Sequence, residues 1–565
     1  MKKQTYLEGA VPYSPEAIQK YVEKGWWLDL TFGDVLDRAV RNQVEKTALI
    51  DDRVRLTYAQ LKEKVDRFAL ALLNLGVKKY DRILIQLPNR HEFLVAFYGM
   101  QRIGAVPVLA IPRHGYREII HFFKVMEPVG WILPLKERNE DFLPLMEAAR
   151  TEAGSLQHLI LVDDGGAIPP GALSFEGLVA NVAPSAYPPD YLRQFRPDPN
   201  DVALILLTGG TTGMPKGVPR THNSYLTNIR YTNIDTTPED IRALATPIGH
   251  SMAHQGPVGG SIFYGGTLFL IASPRARPIL EAVEKYRITT LGLVPAQLED
   301  ILNFPDLLRY NLTSLRKVGT AGAALRPETA QKAKEFFGSL GADFGGGGFG
   351  SSEGPCATHY PGEPPEVFRL SIGRPMCEGD RWKVFDDQER ELPPNTEGEL
   401  AAKGPCVFTG YYRSEADNRE IFTRDGYYKM GDLGKIDEQG HIYITGRKKD
   451  VIQRGGEGII PSEIERLLIL HSAVAAAAVV GMPDPRLGEN ACGYVVLKPG
   501  ARLTFEEMVT FLKDQGAGVL LLPEKLEIVD KLPMTAVGKI DKKALREDIA
   551  EKLKREGTKQ EKATQ

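Results

Sequence analysis

The sequence predicts an α/β protein: a large N-terminal domain of helix-covered sheets ending in a β-rich subdomain, then a small α+β C-terminal domain. Three observations predict it. Apolar strand-like runs alternate with helical patterns through the first three-quarters of the chain, as in parallel sheets covered by helices. From Arg381 the texture changes to short strands and turns. A second change follows Gly446-Arg447-Lys448-Lys449-Asp450, where helices and strands resume. These changes place the domains at 1–447, with the β-rich subdomain at about 375–447, and at 448–565. The last is roughly 115 residues long, within the usual domain range.

The elements follow in order. Asp81–Leu87 reads as a strand, His91–Met100 as a helix and Ala105–Ala110 as the next strand. The unit repeats near Trp131-Ile132-Leu133, His158–Val162 and Thr267–Ile271. A Pro-rich connection runs from Pro184 to Pro199 and leads to the apolar run Val202–Leu206. Trp382–Phe385 and Gly398–Ala402 are the short strands of the β-rich part. The C-terminal domain is read as a helix (Ser462–Leu470), strands (Val474–Val480, Cys492–Val496), a helix (Thr504–Asp514) and a charged tail, expected to fray, from Glu551. No internal repeat is evident.

Composition narrows the function classes. At 565 residues, 42% hydrophobic and 25% charged, the chain is an ordinary globular protein with more than one core. A net charge of −3 argues against nucleic acid or an anionic membrane as the main partner. No apolar run approaches a membrane span, and the N-terminus lacks a signal-peptide pattern. Cys356, Cys377, Cys406 and Cys492 have no metal-ligand spacing, so reduced thiols and a cytoplasmic location are expected. A monomer or homodimer is expected.

The chemistry concentrates in short motifs. Leu207–Gly217 packs three hydroxyls, four glycines and Lys216 into a loop directly after an apolar strand. Glycines let backbone N–H groups turn inward, and Thr208, Thr211 and Thr212 add donors, as in a phosphate cradle. The loop lacks the Gly-Lys-Ser/Thr of a Walker A motif; an ordinary Gly/Thr turn is the alternative reading. Phe349-Gly350-Ser351-Ser352-Glu353 sets a hydroxyl beside a carboxylate able to hold Mg²⁺ with phosphates, or is a surface turn. Gly431-Asp432 offers a carboxylate for ribose hydroxyls. Gly446–Asp450 is either a functional junction or an exposed basic turn. Gly538-Lys539 places a lysine in a late loop.

Together, in this order, these motifs resemble those of the adenylate-forming superfamily of acyl-CoA synthetases, peptide-synthetase adenylation domains and luciferases, from about Leu28 to about Lys552. Within it the chain is most similar to stand-alone aryl-acid adenylating enzymes of the 2,3-dihydroxybenzoate–AMP ligase type. The similar stretches are Pro107–Pro112 with His114, Pro219–Asn223, Ile452–Glu457 and Val537–Leu545. The resemblance implies two half-reactions: a carboxylic acid attacks the α-phosphorus of ATP, then the acyl group passes to a thiol.

It assigns Thr208, Gly209, Gly210, Thr211, Thr212, Gly213 and Lys216 to the β/γ-phosphates, and Ser352 and Glu353 to the α-phosphate and Mg²⁺. Gly322 and Ala323 go to adenine, Asp432 to ribose, and Arg447 to ribose or phosphate. Lys539 is the lysine of the first step. Lys449 is the hinge at which a mobile C-terminal domain would rotate to present Gly455-Gly456-Glu457 to the thiol. His250, counted with the catalytic groups, joins Ser251, Gly256 and Gly348 in the acid pocket.

Two departures matter. The aryl-acid enzymes carry His-Asn where this chain has His250-Ser251, so the amide that meets ring hydroxyls is missing and a different aryl or cyclic acid is expected. The family's Tyr-Lys-x-Pro is here Leu520-Leu521-Leu522-Pro523. The run Gly345–Gly348 either strips side chains from a pocket wall or serves a loop needing positive φ. His250, Met252, His254 and Gln255 leave room for a polar group on the acid. The expected acceptor is CoA. A phosphopantetheinyl carrier protein is the alternative, and a non-catalytic nucleotide-binding relative is the outside one.

Overall fold

The computed structural model describes every residue except 1–5, 138–139, 163–165, 209–213, 323–324, 326, 361–362, 455–456, 536–538 and 565. Side chains are also left undescribed at 140, 327, 346–347, 365, 369 and 556–564. The protein is of mixed α/β class and divides into two compact units. The first comprises Met1–Thr208, Met214–Arg381 and Ala402–Phe422; the second contains Trp382–Ala401 and Thr423–Gln565.

The first unit holds two large sheets. One has seven strands in the order Gly217–Thr221, Val202–Leu207, Val106–Leu109, Arg82–Ile85, Gly130–Pro134, His158–Val162, Leu173–Ser174. Its central strands run parallel, and residues Leu84, Trp131, Leu159 and Leu161 are fully or nearly buried. They bury apolar side chains on both faces, which is why they read as continuous apolar runs. Val202–Leu207 and Gly217–Thr221 form an antiparallel hairpin. The helix His91–Ile103 ends in Gly104 at φ +70°, a left-handed cap.

The other sheet has nine strands, with parallel Thr267–Leu270, Ile241–Leu244, Thr290–Leu293, Lys317–Ala321 and Asp343–Gly350 at its centre. Ile279, Val283, Leu291, Val318 and Phe337 fill its core. The Pro-rich connection contains only two short 3₁₀ turns, Pro184–Ala186 and Tyr191–Phe195.

The second unit contains a four-stranded sheet, Arg381–Phe385, Gly398–Lys403, Tyr428–Ile436 and Ile442–Arg447. It also holds a five-stranded sheet built on the hairpin Val474–Asp484 and Gly488–Leu497. The β-rich strands thus group with the C-terminal residues. One reason is Lys448, whose ammonium pairs with Asp387 at 2.9 Å and Glu399 at 3.0 Å. Thr504 and Glu507 close a capping box at the start of the helix Phe505–Asp514. The tail differs from expectation: the helix Lys542–Thr564 continues through the charged segment instead of fraying at Glu551. Lys552 ties it to Glu527 at 2.8 Å and to Asp548 at 2.7 Å. No helix among the described residues is long and apolar enough to cross a membrane.

Candidate active site

The shoulders of the phosphate loop are well defined, whereas Gly209, Gly210, Thr211, Thr212 and Gly213 lie outside the described residues. Thr208 N–H donates to the Lys216 carbonyl, and Lys216 N–H donates to Thr208 Oγ1, both at 3.0 Å. This reciprocal pair closes the loop at its base. The Lys216 ammonium lies 2.6 Å from Asp417 and 5.1 Å from the centroid of Tyr411. The Tyr411 hydroxyl donates to Glu353 Oε1 at 2.8 Å. One tyrosine therefore joins the loop lysine to the carboxylate 58 positions earlier. Asn418 holds the Tyr411 backbone with two hydrogen bonds of 2.7 and 2.9 Å. The Lys216 ammonium and the Ser414 hydroxyl keep the Asp417 carboxyl below its usual range. With both Lys216 and Asp417 side chains more than a third exposed, this ion pair is worth about 1 kcal/mol or less, so breaking it to pair Lys216 with another anion costs little.

The loop bearing Glu353 is fixed from below by Arg220, which is fully buried. Its guanidinium donates to the carbonyls of Ser352 (2.9 Å) and Cys406 (2.6 Å) and to Asn228 Oδ1 (2.5 Å). Gly354 sits at φ +117°, and a Cβ there would lie 1.8 Å from the Cys406 carbonyl oxygen, so only glycine fits. Glu353 is 8% exposed. Ser351 Oγ is buried without a hydrogen-bond partner. Mg²⁺ with phosphates takes one or two carboxylates and other oxygens. A nearly buried carboxylate two residues from an unsatisfied hydroxyl fits that group.

The residues expected to meet the acid also lie in the first unit. His250 caps the turn Ser251–Ala253, its Nδ1 accepting from Met252 N–H at 3.3 Å. A π-turn, His254–Val258, follows and contains Pro257, which lacks the N–H a regular helix would use. Gly322 has φ +92°; a Cβ there would lie 3.6 Å from Met252 Sδ. Ala323 lies outside the described residues. Gly345 and Gly348 belong to the strand Asp343–Gly350 and do not adopt left-handed φ, which favours the stripped-wall reading over the loop reading. Gly292, Gly319 and Gly345 stand in register on three neighbouring strands, leaving bare backbone across the sheet. Pro257 faces Gly292, 3.8 Å from its would-be Cβ, and buried Gly256 has open space where a side chain would stand.

His254 does not serve the acid. It is 1% exposed and ringed by Phe97, Tyr225, Phe93 and Phe32 at 4.5 to 6.3 Å between centroids. Both ring nitrogens lack hydrogen bonds, and burial drives its pKa down to about 3.

In the second unit, Asp432 and Arg447 face each other across paired strands, with Arg447 Nε 2.6 Å from Asp432 Oδ1. Gly431, at φ +68°, turns the chain just before Asp432. A cleft of about 360 Å³ is lined by Met430, Gly431, Arg447, Lys448 and Lys449. Lys449 is exposed at the surface, yet partial desolvation by its neighbours lowers its pKa. Next to it, Asp450 is anchored by Arg546 at 2.6 Å. Lys539 stands on an exposed loop closed by Thr535 N–H to the Lys539 carbonyl (2.7 Å) and Lys539 N–H to Thr535 Oγ1 (3.1 Å). Gly538, Gly455 and Gly456 lie outside the described residues, and Glu457 is exposed.

The structure thus brings Thr208, Lys216 and Glu353 together, and Asp432, Arg447 and Lys449 together; Lys539 belongs to the second unit and Glu353 to the first. Sequence reasoning missed Tyr411, Asp417, Ser351 and the role of Arg220. Nothing local to Tyr411 points to Glu353.

Comparison with known proteins places this geometry. The AMP-binding enzyme family matches residues 36–412, and the AMP-binding enzyme C-terminal domain matches 463–539. The chain is 32% identical to the 2,3-dihydroxybenzoate-AMP ligase of Bacillus subtilis, with 97% of this chain and 99% of that one covered. It is 33% identical to the salicyl-AMP ligase / salicyl-S-ArCP synthetase of Mycobacterium tuberculosis, with 95% and 94% covered. It is also 33% identical to the salicylyl-CoA synthase / salicylate adenylyltransferase of a Streptomyces species, with 96% and 98% covered. Among solved structures, the apo structure of Mycobacterium smegmatis MbtA matches with a TM-score of 0.70 at 33% identity, covering 96% of this chain and 99% of that one.

Proposed function

The chain belongs to the AMP-binding enzyme family, and from that membership we propose that it activates an aryl acid as its acyl-AMP and loads it onto the phosphopantetheine thiol of a carrier protein. It is an AMP-forming carboxylic acid ligase of the aryl-acid adenylating kind, and it uses ATP. The observation that carries the assignment of residues is the chain of contacts from Lys216 through Tyr411 to Glu353.

In the proposed first step, a carboxylate oxygen of the acid attacks the α-phosphorus of ATP and pyrophosphate leaves. The protein's task is to hold two anions in line and neutralise developing charge. Lys216, Thr208 and the loop residues Gly209–Gly213 grip the β- and γ-phosphates. Glu353, with Ser351 and Ser352 beside it, would hold Mg²⁺, whose charge would offset that of the phosphates. Gly322 and Ala323 line the adenine, Asp432 takes the ribose hydroxyls and Arg447 steadies Asp432. Lys539 contacts the carboxylate and α-phosphate oxygens. The acid lies among His250, Ser251, Gly256 and Gly348, over the bare glycine row. In the second step the C-terminal residues turn about Lys449 and admit the thiol.

The relatives' names favour the carrier over the CoA expected from the sequence, since a salicyl-S-ArCP synthetase and 2,3-dihydroxybenzoate-AMP ligases stand among them. CoA is kept as a second reading because one relative is a salicylyl-CoA synthase and because Ser251 replaces the siderophore-type Asn. The test is ATP–pyrophosphate exchange with benzoate, salicylate, 2,3-dihydroxybenzoate and cyclic aliphatic acids, followed by transfer to CoA and to a holo aryl carrier protein. Exchange with an aryl acid and faster transfer to the carrier is the expected result. No exchange with any acid would overturn the function; transfer to CoA alone would overturn the acceptor. If 2,3-dihydroxybenzoate were by far the best acid, the reading of Ser251 would fall.

A further inference from the structure

Folding brings together two cysteines that the sequence keeps apart. Cys377 follows the strand Arg374–Pro375, and Cys406 follows the strand Gly398–Lys403. Cys377 opens a tight turn, closed by Asp380 N–H donating to the Cys377 carbonyl at 3.0 Å. Cys406 N–H donates to Asp380 Oδ1 at 3.1 Å. The two Sγ atoms and a carboxylate oxygen of Asp380 all lie within 4.8 Å of one another. Cys377, Cys406 and Asp380 are only 0%, 2% and 4% exposed, and all three belong to the first unit.

The surroundings hold this cluster in place. A Cβ at Gly404 would lie 2.2 Å from Asp380 Oδ1, so glycine lets the segment before Cys406 reach the carboxylate. Trp26 Nε1 donates to Glu378 Oε1 at 2.9 Å, and Trp27 Nε1 donates to the Pro405 carbonyl at 3.0 Å, so an indole ties down each cysteine-bearing segment. Two thiols and a carboxylate suit a thiol-binding divalent cation such as Zn²⁺, whereas Mg²⁺ and Ca²⁺ take oxygen ligands. Ligand atoms of a tetrahedral Zn²⁺ site stand roughly 3.4–3.8 Å apart, so side-chain shifts of about 1 Å close the set and leave one position for water. The charges also balance. With both thiols protonated, the ionised cluster carries one negative charge; a divalent cation in place of the two thiol protons leaves that charge unchanged. Arg220, fully buried and bonded to the Cys406 carbonyl at 2.6 Å, has no ion-pair partner among the described residues, and its charge offsets the cluster's.

We propose that Cys377, Cys406 and Asp380 form a structural site for one thiol-binding divalent cation of the Zn²⁺ class. The ion displaces the two thiol protons and ties the turn at Cys377 to the segment at Cys406. That junction supports the loop of Glu353. The carbonyls of Cys406 and Ser352 accept from the same Arg220 guanidinium, and Phe408 N–H donates to the Glu353 carbonyl at 2.7 Å. The site is distinct from the one assigned to Mg²⁺ and stands whether or not the proposed activity does.

The test measures metal in the full-length chain. Wild type produced in zinc-supplemented medium and purified under reducing conditions without chelator is expected to hold one Zn²⁺ per chain by inductively coupled plasma mass spectrometry. Cys377→Ala and Cys406→Ala are expected to lose it; Cys492→Ala, altered in the second unit, is expected to keep it. Wild type produced with Co²⁺ instead should show thiolate-to-cobalt charge transfer and the ligand-field bands of a tetrahedral ion. That spectrum decides the matter if the alanine variants fail to fold. Chelator-stripped wild type should unfold ~3–5 °C below the loaded protein, as for an ion bound only by the folded state. Wild type without metal, a cobalt spectrum lacking sulfur charge transfer, or metal retained in both alanine variants would each overturn the proposal. So would a Cys377–Cys406 disulfide in place of the ion, or equal unfolding temperatures for loaded and stripped protein.

Discussion

His254 should make the first unit acid-sensitive, and removing it should show how much. Two buried ring nitrogens without partners cost roughly 1–3 kcal/mol together, because their hydration is lost and nothing replaces it. The folded ring stays neutral down to about pH 3, whereas an unfolded imidazole takes a proton near 6.5. Between those values the unfolded chain binds more protons, so stability falls as the pH drops through 6.5. At pH 5 the difference is about 1.5 pH units, worth ~2 kcal/mol for this one residue. His222, buried with a pKa of about 3, and His114, at about 4, act in the same direction. Three such residues would remove ~6 kcal/mol by pH 5, comparable to the whole stability of many domains. The assay is urea unfolding of wild type and His254→Leu at pH 7.5, 6 and 5. Leu is expected to stabilise at pH 7.5 by up to ~3 kcal/mol, and the gap should widen by ~2 kcal/mol at pH 5. Parallel pH dependences would refute the argument, since they would mean that the ring finds a proton or a partner in the folded state.

The remaining predictions concern catalysis. Lys539→Ala should lower the rate of pyrophosphate exchange ~10²–10³-fold, the usual loss for one transition-state donor, with little change in KM for the acid; unchanged exchange would remove Lys539 from the first step. Lys449→Pro should spare exchange and impair thioester formation, and equal loss of both would count against a hinge there. Tyr411→Phe deletes the hydroxyl that holds Glu353 and should raise the Mg²⁺ concentration needed for half-maximal exchange about 3- to 10-fold, as expected for the net loss of one hydrogen bond; an unaltered Mg²⁺ response would show that Tyr411 does not position the carboxylate.

Much of the scaffold was legible because parallel strands bury both faces. Leu84, Trp131 and Leu161 announce themselves as apolar runs wherever they fall in the chain. The motif residues stand out in the sequence because glycine and hydroxyl clusters are locally dense, as at Thr208–Gly217. What stayed hidden depends on distance. Glu353 meets Tyr411 across 58 positions, and Arg220 meets Cys406 across 186, and no local period encodes such pairings. His254 misled for a different reason: a polar residue beside His250 looks like a pocket ligand, and only its four aromatic neighbours reveal a core position. The tail misled because its charges, unfavourable in isolation, are matched by Glu527 on a neighbouring strand and by i,i+4 partners.

Gly292, Gly319 and Gly345 line up across three adjacent strands like unoccupied sockets. A pocket walled by large side chains changes shape only when several of them repack in concert. Here a single methyl at any one of the three would meet no atom closer than 3.5 Å. On the proposed reading of the acid pocket, the choice of acid is therefore open to stepwise revision, one codon at a time.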